Sequence, residues 1–313
     1  ARFLEGGAKV AVNYSAGRGH TFSIGAGYQY NAPTAAVSFT APEMNNDFAL
    51  NLKNERVLST DFAYQYQSAR VHINLNAYYN AINNVTEWQN FYFDDINSFS
   101  YVSITGGKKA YYGVEAALKY KVNSTFDIKL LGTVSEAKNT NDANVNYLNS
   151  TQGVYHEDKL LNKDMRESGT PLTAASAILS YHKKGWFIDL AGNYYDRIYL
   201  GYSLYYRYKS IGEKRGNVDS NGNVLRIPQD KGKGGFMLDA SIGKSIYLKK
   251  GSLSINLMLT NVLNNQNIVT GGYEQSRSDY TASGNARAYK FSRNPKKFYA
   301  WGTNAMLNVS YRF

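Results

Sequence analysis

Apolar and polar residues alternate along most of the chain with a period of two, in segments of about ten residues. The segment after Gly251 illustrates the pattern, because its two faces differ in polarity. One face carries Leu253, Ile255, Leu257 and Leu259, and the other carries Ser254, Asn256, Met258 and Thr260. No segment of ten or more residues has the apolar stripe of an amphipathic helix. The pattern therefore predicts a chain that is close to all-β.

Eleven segments have the alternation and the length of strands. They lie near residues 8–15, 20–31, 56–68, 69–82, 107–122, 125–138, 172–182, 186–200, 235–248, 252–263 and 299–313. A soluble β-sandwich is the alternative for an alternating chain, but its strands are typically about 5–6 residues long. The longer segments seen in this sequence are typical of strands that cross a membrane, which need about 9–11 residues.

The connections between the predicted strands alternate in length. Short ones lie near residues 16–19, 67–69, 123–124, 183–185 and 249–251, and long ones span roughly 32–55, 83–106, 139–171, 203–232 and 264–298. Short turns at one end and long loops at the other are typical of outer-membrane barrels, whose long loops lie outside the cell. We therefore expect an antiparallel transmembrane β-barrel that crosses the outer membrane many times.

Tyrosines cluster where the strands would meet the two membrane–water interfaces. Tyr14, Tyr66, Tyr120 and Tyr247 lie near the short turns, and Tyr28, Tyr79 and Tyr194 lie toward the long loops. Tyr has an apolar ring and a polar hydroxyl, so it suits the boundary between lipid and water. The chain contains 28 Tyr residues, and two aromatic belts predict direct contact with outer-membrane lipid.

The last predicted strand ends at the final residue of the sequence. Its alternating face carries Trp301, Leu307, Val309, Tyr311 and Phe313. This segment resembles the terminal strand that outer-membrane barrels present to the barrel assembly machinery. We therefore expect residues 299–313 to be the assembly strand.

The net charge of +11 changes this interpretation only slightly. The Lys and Arg residues are dispersed, and no nucleic-acid-binding motif accompanies them, so we expect no nucleic-acid partner. Basic residues near the rim of a barrel would instead meet lipopolysaccharide phosphates. The absence of Cys removes thiol chemistry and Cys-ligated metals, and no other spacing predicts a metal or a cofactor.

Several short motifs resemble the TonB-dependent receptor and transporter family of the outer membrane. They are Asn54-Glu55-Arg56 before Asp61-Phe62-Ala63-Tyr64, Ala110–Glu115, Tyr195–Leu200, Leu259–Asn264 and Tyr311-Arg312-Phe313. That family folds as a barrel of about 22 strands with a plugged lumen. The resemblance implies that residues 1–313 are the C-terminal part of one transmembrane barrel domain, with the plug domain and the first barrel half absent from this chain.

Aromatic residues in two of the long loops are candidates for solute binding. They are Trp88 and Tyr92 in one loop, and Tyr205, Tyr206 and Arg207 in another. Aromatic faces stack on sugars, haem-like rings or siderophores, and Arg recognises carboxylate or phosphate. The alternative is that the strands extend beyond the membrane, so that these side chains pair across them.

The resemblance implies active transport of a scarce solute, energised by the TonB complex through the missing plug. A passive porin or a structural barrel is one alternative. An outer-membrane hydrolase that uses His72 with Asp61 or Asp127 is another, although no nucleophile accompanies them and we expect no enzyme activity. A surface lipoprotein that covers the long loops also stays open, and the sequence does not identify the solute.

Overall fold

The computed structural model describes residues 2–93, 97–151, 153–274 and 295–313, and these residues are mostly strand. They form one 13-stranded sheet and a separate two-stranded sheet, and every pair of neighbouring strands is antiparallel. The strands are β1 (Gly6–Gly17), β2 (His20–Asn31), β3 (Glu55–Gln67), β4 (Val71–Phe93), β5 (Ser98–Lys121), β6 (Phe126–Asn139), β7 (Ala143–Asn149), β8 (Tyr155–Leu160), β9 (Pro171–Lys183), β10 (Trp186–Ile198), β11 (Gly235–Leu248), β12 (Gly251–Thr260), β13 (Val269–Glu274), β14 (Pro295–Tyr299) and β15 (Asn304–Arg312). Two short helices, α1 (Ala35–Ser38) and α2 (Lys209–Lys214), and a 3₁₀ turn at Tyr205–Arg207 lie in the connections.

The eleven predicted strands are confirmed, and they follow one another through the large sheet. The order is β1-β2-β3-β4-β5-β6-β9-β10-β11-β12-β15, with β7 and β8 attached beside β5. Within the described residues, β1 and β15 each pair on one side only, so the sheet does not close on itself. Every residue of both end strands is exposed. The described residues thus form an open antiparallel sheet and not a closed barrel.

The short turns of the sheet depend on residues in the left-handed backbone region. Arg18 and Gly19 connect β1 to β2 with φ values of 49° and 85°, and Lys184 and Gly185 connect β9 to β10 with 51° and 78°. Positive φ at both central residues is the requirement of the type I′ hairpin turn, which matches the twist of the flanking strands. A Cβ on Gly19 would lie 1.9 Å from the Gln67 carbonyl oxygen, so only glycine fits there.

At the other end of the sheet, the prediction of a loop at 83–106 is wrong. β4 and β5 continue through most of it as an extended hairpin, in which Trp88 pairs with Ser103 and Tyr92 pairs with Phe99. The register shifts on both sides of Val85, which marks a β-bulge between the sheet and the extended hairpin. The extension is rich in aromatic and β-branched residues, and these favour strand.

The long connections fold together into a structure with its own core. We refer to the described residues within 35–50, 85–93, 97–105, 140–151, 153–170, 199–232 and 265–274 as the loop layer. Its main core consists of Val102, Ile104, Ala143, Val145, Leu160, Leu204, Tyr208 and Ile211. Part of the predicted long connection 139–171 is instead strand, because β8 pairs with β7 there. Of the predicted long loop 264–298, residues 275–294 lie outside the described residues.

The predicted terminal strand begins later than expected. β15 starts at Asn304, whereas residues 295–299 form β14 and pair with β13 in the separate sheet. Trp301 therefore lies before the strand, while Leu307, Val309 and Tyr311 pair with Leu257, Ile255 and Leu253 of β12 as the alternation predicts. Phe313 follows the strand and is fully exposed. None of the helices in the described residues is long and apolar enough to cross a membrane.

Candidate functional site at the mouth of the polar face

The large sheet has one apolar face and one polar face, as the alternation predicts. Exposed apolar side chains cover the first face, among them Ile24, Phe62, Leu75, Val114, Leu130, Leu179, Leu190 and Ile242. On the polar face, Ser176 donates to the side-chain oxygen of Asn193 at 2.7 Å, and Asn193 donates to Asp239 at 2.8 Å. Side chains from three neighbouring strands thus form a hydrogen-bonded polar wall, while large apolar groups on the opposite face stay uncovered.

Where the polar wall meets the loop layer, Lys109 lies between two carboxylates. Its Nζ is 2.5 Å from Oε1 of Glu87 and 2.8 Å from Oε1 of Glu167. Glu87 of β4 and Lys109 of β5 lie on opposite sides of the bulge near Val85, and the segment before β9 supplies Glu167. Tyr111 also donates to Oε1 of Glu167, at 3.2 Å. The two carboxylates together neutralise the buried ammonium group, which would otherwise be costly.

A second ion pair, between Arg207 and Glu274, is almost completely buried. Nη1 of Arg207 lies 2.5 Å from Oε2 of Glu274, and the exposed fractions of the two side chains are 1% and 0%. The same oxygen accepts the main-chain N–H of Ser203 at 2.7 Å. Nη1 of Arg207 also donates to the Ser203 carbonyl at 3.0 Å, and the guanidinium lies over the Tyr202 ring. This network ties the 3₁₀ turn of the loop layer to the end of β13.

A cavity of about 300 Å³ lies between these two ion clusters. We refer to it as the mouth cavity. Its wall is formed by Glu87, Gln89, Phe91, Lys109, Asn139, Arg166, Glu167, Ser168, Gly201, Tyr202, Ser203, Leu204, Tyr273 and Glu274. Its volume is at the lower end of the range found for small-molecule sites. The mouth cavity is therefore large enough for one unit of a solute or for the end of a longer one.

Two polar groups of the cavity wall have unused hydrogen-bonding capacity. Oε1 of Glu274 is buried and has no hydrogen-bond partner among the described residues. The hydroxyl oxygen of Tyr202 accepts side-chain N–H groups from Asn162 at 3.3 Å and Asn139 at 3.4 Å, which leaves its own O–H free to donate. Burial raises the pKa of Tyr202, so this hydroxyl keeps its proton at neutral pH.

The five loop residues expected to bind solute occupy two separate parts of the loop layer. Trp88 packs against Tyr101 and donates its Nε1–H to the Thr40 carbonyl at 2.8 Å, and Tyr92 is exposed beside Phe99. Tyr205, Tyr206 and Arg207 lie together in the 3₁₀ turn, where Tyr206 and Arg207 are buried. The structure brings the last three together but does not join them to Trp88 and Tyr92.

The sequence did not single out the charged residues of the mouth cavity. Glu87, Lys109, Glu167 and Glu274 come from four distant segments of the chain. None of the four lies in a recognisable motif, so only the fold shows that they surround one space. The one sequence feature that could have indicated this site is the charge of Lys109, which lies on the polar face at the outer end of a predicted strand.

The residues considered for hydrolysis do not form a catalytic group. His72 pairs across strands with Gln67 and Lys119, whereas Asp61 pairs with Gly25 and Tyr78. Asp127 instead lies 3.7 Å from His182. In the described ranges, no three His, Asp or Glu side chains are grouped as metal ligands.

Comparison with known proteins places these features in one family. A family model described as a TonB-dependent receptor-like β-barrel matches residues 6–262. No curated protein matches the chain in a sequence search.

Among solved structures, the copper transporter OprC is similar with a TM-score of 0.60 at 13% identity, over 97% of this chain and 39% of that chain. The ferric yersiniabactin uptake receptor FyuA from Yersinia pestis is similar with a TM-score of 0.57 at 14% identity, over 97% of this chain and 37% of that chain. The ferric-catecholate import receptor Fiu from E. coli K12 is similar with a TM-score of 0.56 at 14% identity, over 97% of this chain and 34% of that chain. At these identities the similarity shows the fold alone. The chain spans between a third and two fifths of the length of these proteins.

Proposed function

The chain belongs to the TonB-dependent receptor β-barrel family, and on that basis we propose that it forms part of an outer-membrane transporter that TonB energises. In this proposal, the apolar face of the sheet contacts lipid and the polar face lines the lumen. The loop layer lies outside the cell and captures the solute. The family that the model describes is one of receptors and not of enzymes.

The observation that carries this proposal is the opposite chemistry of the two faces of one sheet. Asn193 and Asp239 are hydrogen-bonded on the polar face, while Leu190 and Ile242, on the same two strands, are uncovered on the other. A soluble protein rarely exposes so continuous an apolar surface. The exposed end strands support the view that further strands complete the barrel, because unpaired backbone groups are not tolerated in lipid.

The proposal includes partners that the barrel family implies. A plug in the lumen would connect the transporter to the TonB complex, and the exposed Leu307, Val309 and Phe313 would contact lipid and the assembly machinery. Lys138 and Lys231, at the outer ends of the strands, would approach lipopolysaccharide phosphates, although each also has a carboxylate partner. A lipoprotein lid over the loop layer would lie against its outer surface.

For solute capture, we propose the exposed ring of Tyr92, next to Phe99, as the first contact among the five candidates. Trp88 would support it through its contact with Tyr101. Tyr205, which is only partly buried, would hold a solute on the other side of the loop layer, whereas the buried Tyr206 and Arg207 would hold the 3₁₀ turn in shape.

The test is solute-dependent growth of the native host with and without the gene. The strains are compared on a set of limiting iron sources and carbon sources, each in a TonB-competent and a TonB-deficient background. We expect at least one solute to support growth only when both the receptor and TonB are present. Growth that needs the receptor but not TonB would indicate a passive porin and would contradict the proposal.

A further inference from the structure

We propose that the mouth cavity binds a neutral, hydroxyl-rich solute, namely a carbohydrate. The inference rests on the proposed transport function, and it assigns the substrate class to a site that lies apart from the aromatic candidates of the sequence. It is carried by the charge balance of the cavity wall, by the two polar groups with unused hydrogen-bonding capacity, and by the ring faces beside them.

The charges of the cavity wall are compensated within the wall and its immediate support. Lys109 has Glu87 and Glu167 as partners, and Arg166 lies 3.0 Å from Glu136 through its Nε. The charged wall residues and their ion-pair partners comprise four carboxylates and four cations. The carboxylates are those of Glu87, Glu136, Glu167 and Glu274, and the cations are Lys109, Arg166, Arg197 and Arg207. Among the described residues of the wall and its support, every cation has a carboxylate partner, so none of them is left over to neutralise an anionic solute. A charged ligand would have to displace an existing pair and would leave a buried charge alone.

The unused polar capacity of the wall fits hydroxyl groups. Oε1 of Glu274 is a buried acceptor without a partner among the described residues, and the Tyr202 O–H is a donor without an acceptor there. A hydroxyl both donates and accepts, so neighbouring hydroxyls of one sugar ring can satisfy both groups. A buried carboxylate oxygen without a hydrogen bond is costly, so occupation of the site by such a solute is favourable.

Two aromatic rings stand at the wall beside these polar groups. Phe91 is partly buried against the loop-layer core, and the Tyr273 ring is about half exposed. The faces of aromatic rings are apolar and suit the C–H surface of a sugar ring. Polar side chains beside aromatic rings suit a carbohydrate better than they suit a metal chelate, whose negative charge needs cations.

The experiment measures binding to the full-length receptor in detergent by thermophoresis. The probes are neutral oligosaccharides of glucose, xylose and mannose, an oligogalacturonate as an anionic sugar, and a ferric catecholate. We expect at least one neutral oligosaccharide to bind, with an affinity that hardly changes between low and high salt. Tyr202→Phe should weaken that binding by about tenfold, because a solute hydroxyl loses its donor. Glu87→Gln should weaken it as well, because Lys109 in the cavity wall loses one of its two carboxylate partners.

A matched control is Glu213→Gln, which makes the same change at an exposed side chain of α2 and should leave binding unchanged. Tyr202→Phe is mild, and an unchanged melting temperature shows that the variant is folded. Binding of only the anionic sugar or the ferric catecholate, or of no neutral oligosaccharide, would overturn the assignment. If TonB-dependent growth is then observed on another solute, the transport proposal stands while the carbohydrate assignment falls.

Discussion

The side-chain Nδ2 of Asn261 donates a hydrogen bond of 2.8 Å to the main-chain carbonyl of Trp301. It also donates to the carbonyl of Asn265 at 3.1 Å, and its Oδ1 accepts the Asn265 N–H at 2.9 Å. The Asn261 carbonyl accepts the Thr303 hydroxyl at 2.8 Å. The residue is buried and has a φ of 51°, a left-handed conformation that Asn adopts more easily than most residues. Asn261 thus joins the end of β12 to the approach of β15.

We expect Asn261→Ala to destabilise the receptor by about 1–3 kcal/mol, because buried backbone groups lose their partners and Ala is strained at positive φ. The measurement is the urea midpoint of the full-length receptor in detergent. Asn308→Ala is the control, since Asn308 is exposed on β15 and pairs only through its backbone. Equal effects of the two substitutions would mean that Asn261 does not stabilise this junction.

Gly243 supports a close contact on the polar face that no other residue allows. A Cβ at this position would lie 2.1 Å from the Phe187 ring and 2.8 Å from the Ile255 carbonyl oxygen. We expect Gly243→Ala to cost about 1–3 kcal/mol through overpacking, measured as a fall in the melting temperature of the receptor. Gly132→Ala is the matched control, because its Cβ would approach only the Ala174 carbonyl, at 3.9 Å. A stable Gly243→Ala variant would show that Phe187 moves aside freely.

The eleven sheet strands and their two faces were predictable because each strand has one apolar face and one polar face. Leu190 faces one way and Asp189 the other, and this alternation persists from strand to strand. A two-residue turn such as Lys184-Gly185 also has a local chemical signal. These features depend on neighbours in sequence, so the sequence alone reports them.

The loop layer was not predictable in the same way. β8 contains His156, Glu157, Asp158 and Lys159, and such a charged stretch does not indicate a strand. It becomes one because β7 offers free backbone groups to pair with. The mouth cavity likewise joins side chains from segments that are far apart in the chain. The tertiary fold determines which side chains line the cavity, and the periodicity of the sequence does not predict that arrangement.

The buried pair Arg207–Glu274 should control the stability of the loop layer more than that of the sheet. We expect Arg207→Met to cost about 3–5 kcal/mol locally, because it leaves Glu274 buried without its cation. Hydrogen exchange followed by mass spectrometry should then show faster exchange in residues 199–212 and little change in β10. The double variant Arg207→Met with Glu274→Gln should recover part of the loss.

The control for this prediction is Arg226→Met, which removes a more exposed pair. Arg226 lies 2.7 Å from Asp142, and its side chain is 44% exposed. Exposed pairs contribute about 0–1 kcal/mol, so exchange should change little. If both substitutions accelerate exchange equally, burial of the ion pair is not what stabilises the loop layer.

Asp142 should make the loop layer sensitive to acid. Burial alone would raise the pKa of Asp142, but the hydrogen bonds from Arg226 and from the Lys163 N–H outweigh it and hold this pKa below its usual value. The folded protein therefore favours the carboxylate. The stabilisation is complete above the unfolded pKa of about 3.9 and is lost as the pH falls through the folded pKa.

The measurement compares the urea midpoints of the wild type and Asp142→Asn over a pH series that runs from neutral to about pH 3. The wild type should be the more stable at neutral pH, and the difference should shrink toward the acid end. A difference that stays constant over the whole series would show that the charge of Asp142 does not contribute.

The assignment of lipid and water to the two faces of β10 can be tested with adjacent residues. Leu190 is exposed on the apolar face, and Ala191 lies on the polar face opposite Asp239 of β11. Nitroxide labels are attached to Leu190→Cys and Ala191→Cys in the full-length receptor, which has no other cysteine among residues 1–313. Because oxygen partitions into lipid and a charged nickel complex stays in water, the label at 190 should be relaxed mainly by oxygen. The label at 191 should respond more to the nickel complex. The same ratio at both positions would mean that the two faces meet the same surroundings, and neither the lumen nor the transport proposal would survive that result.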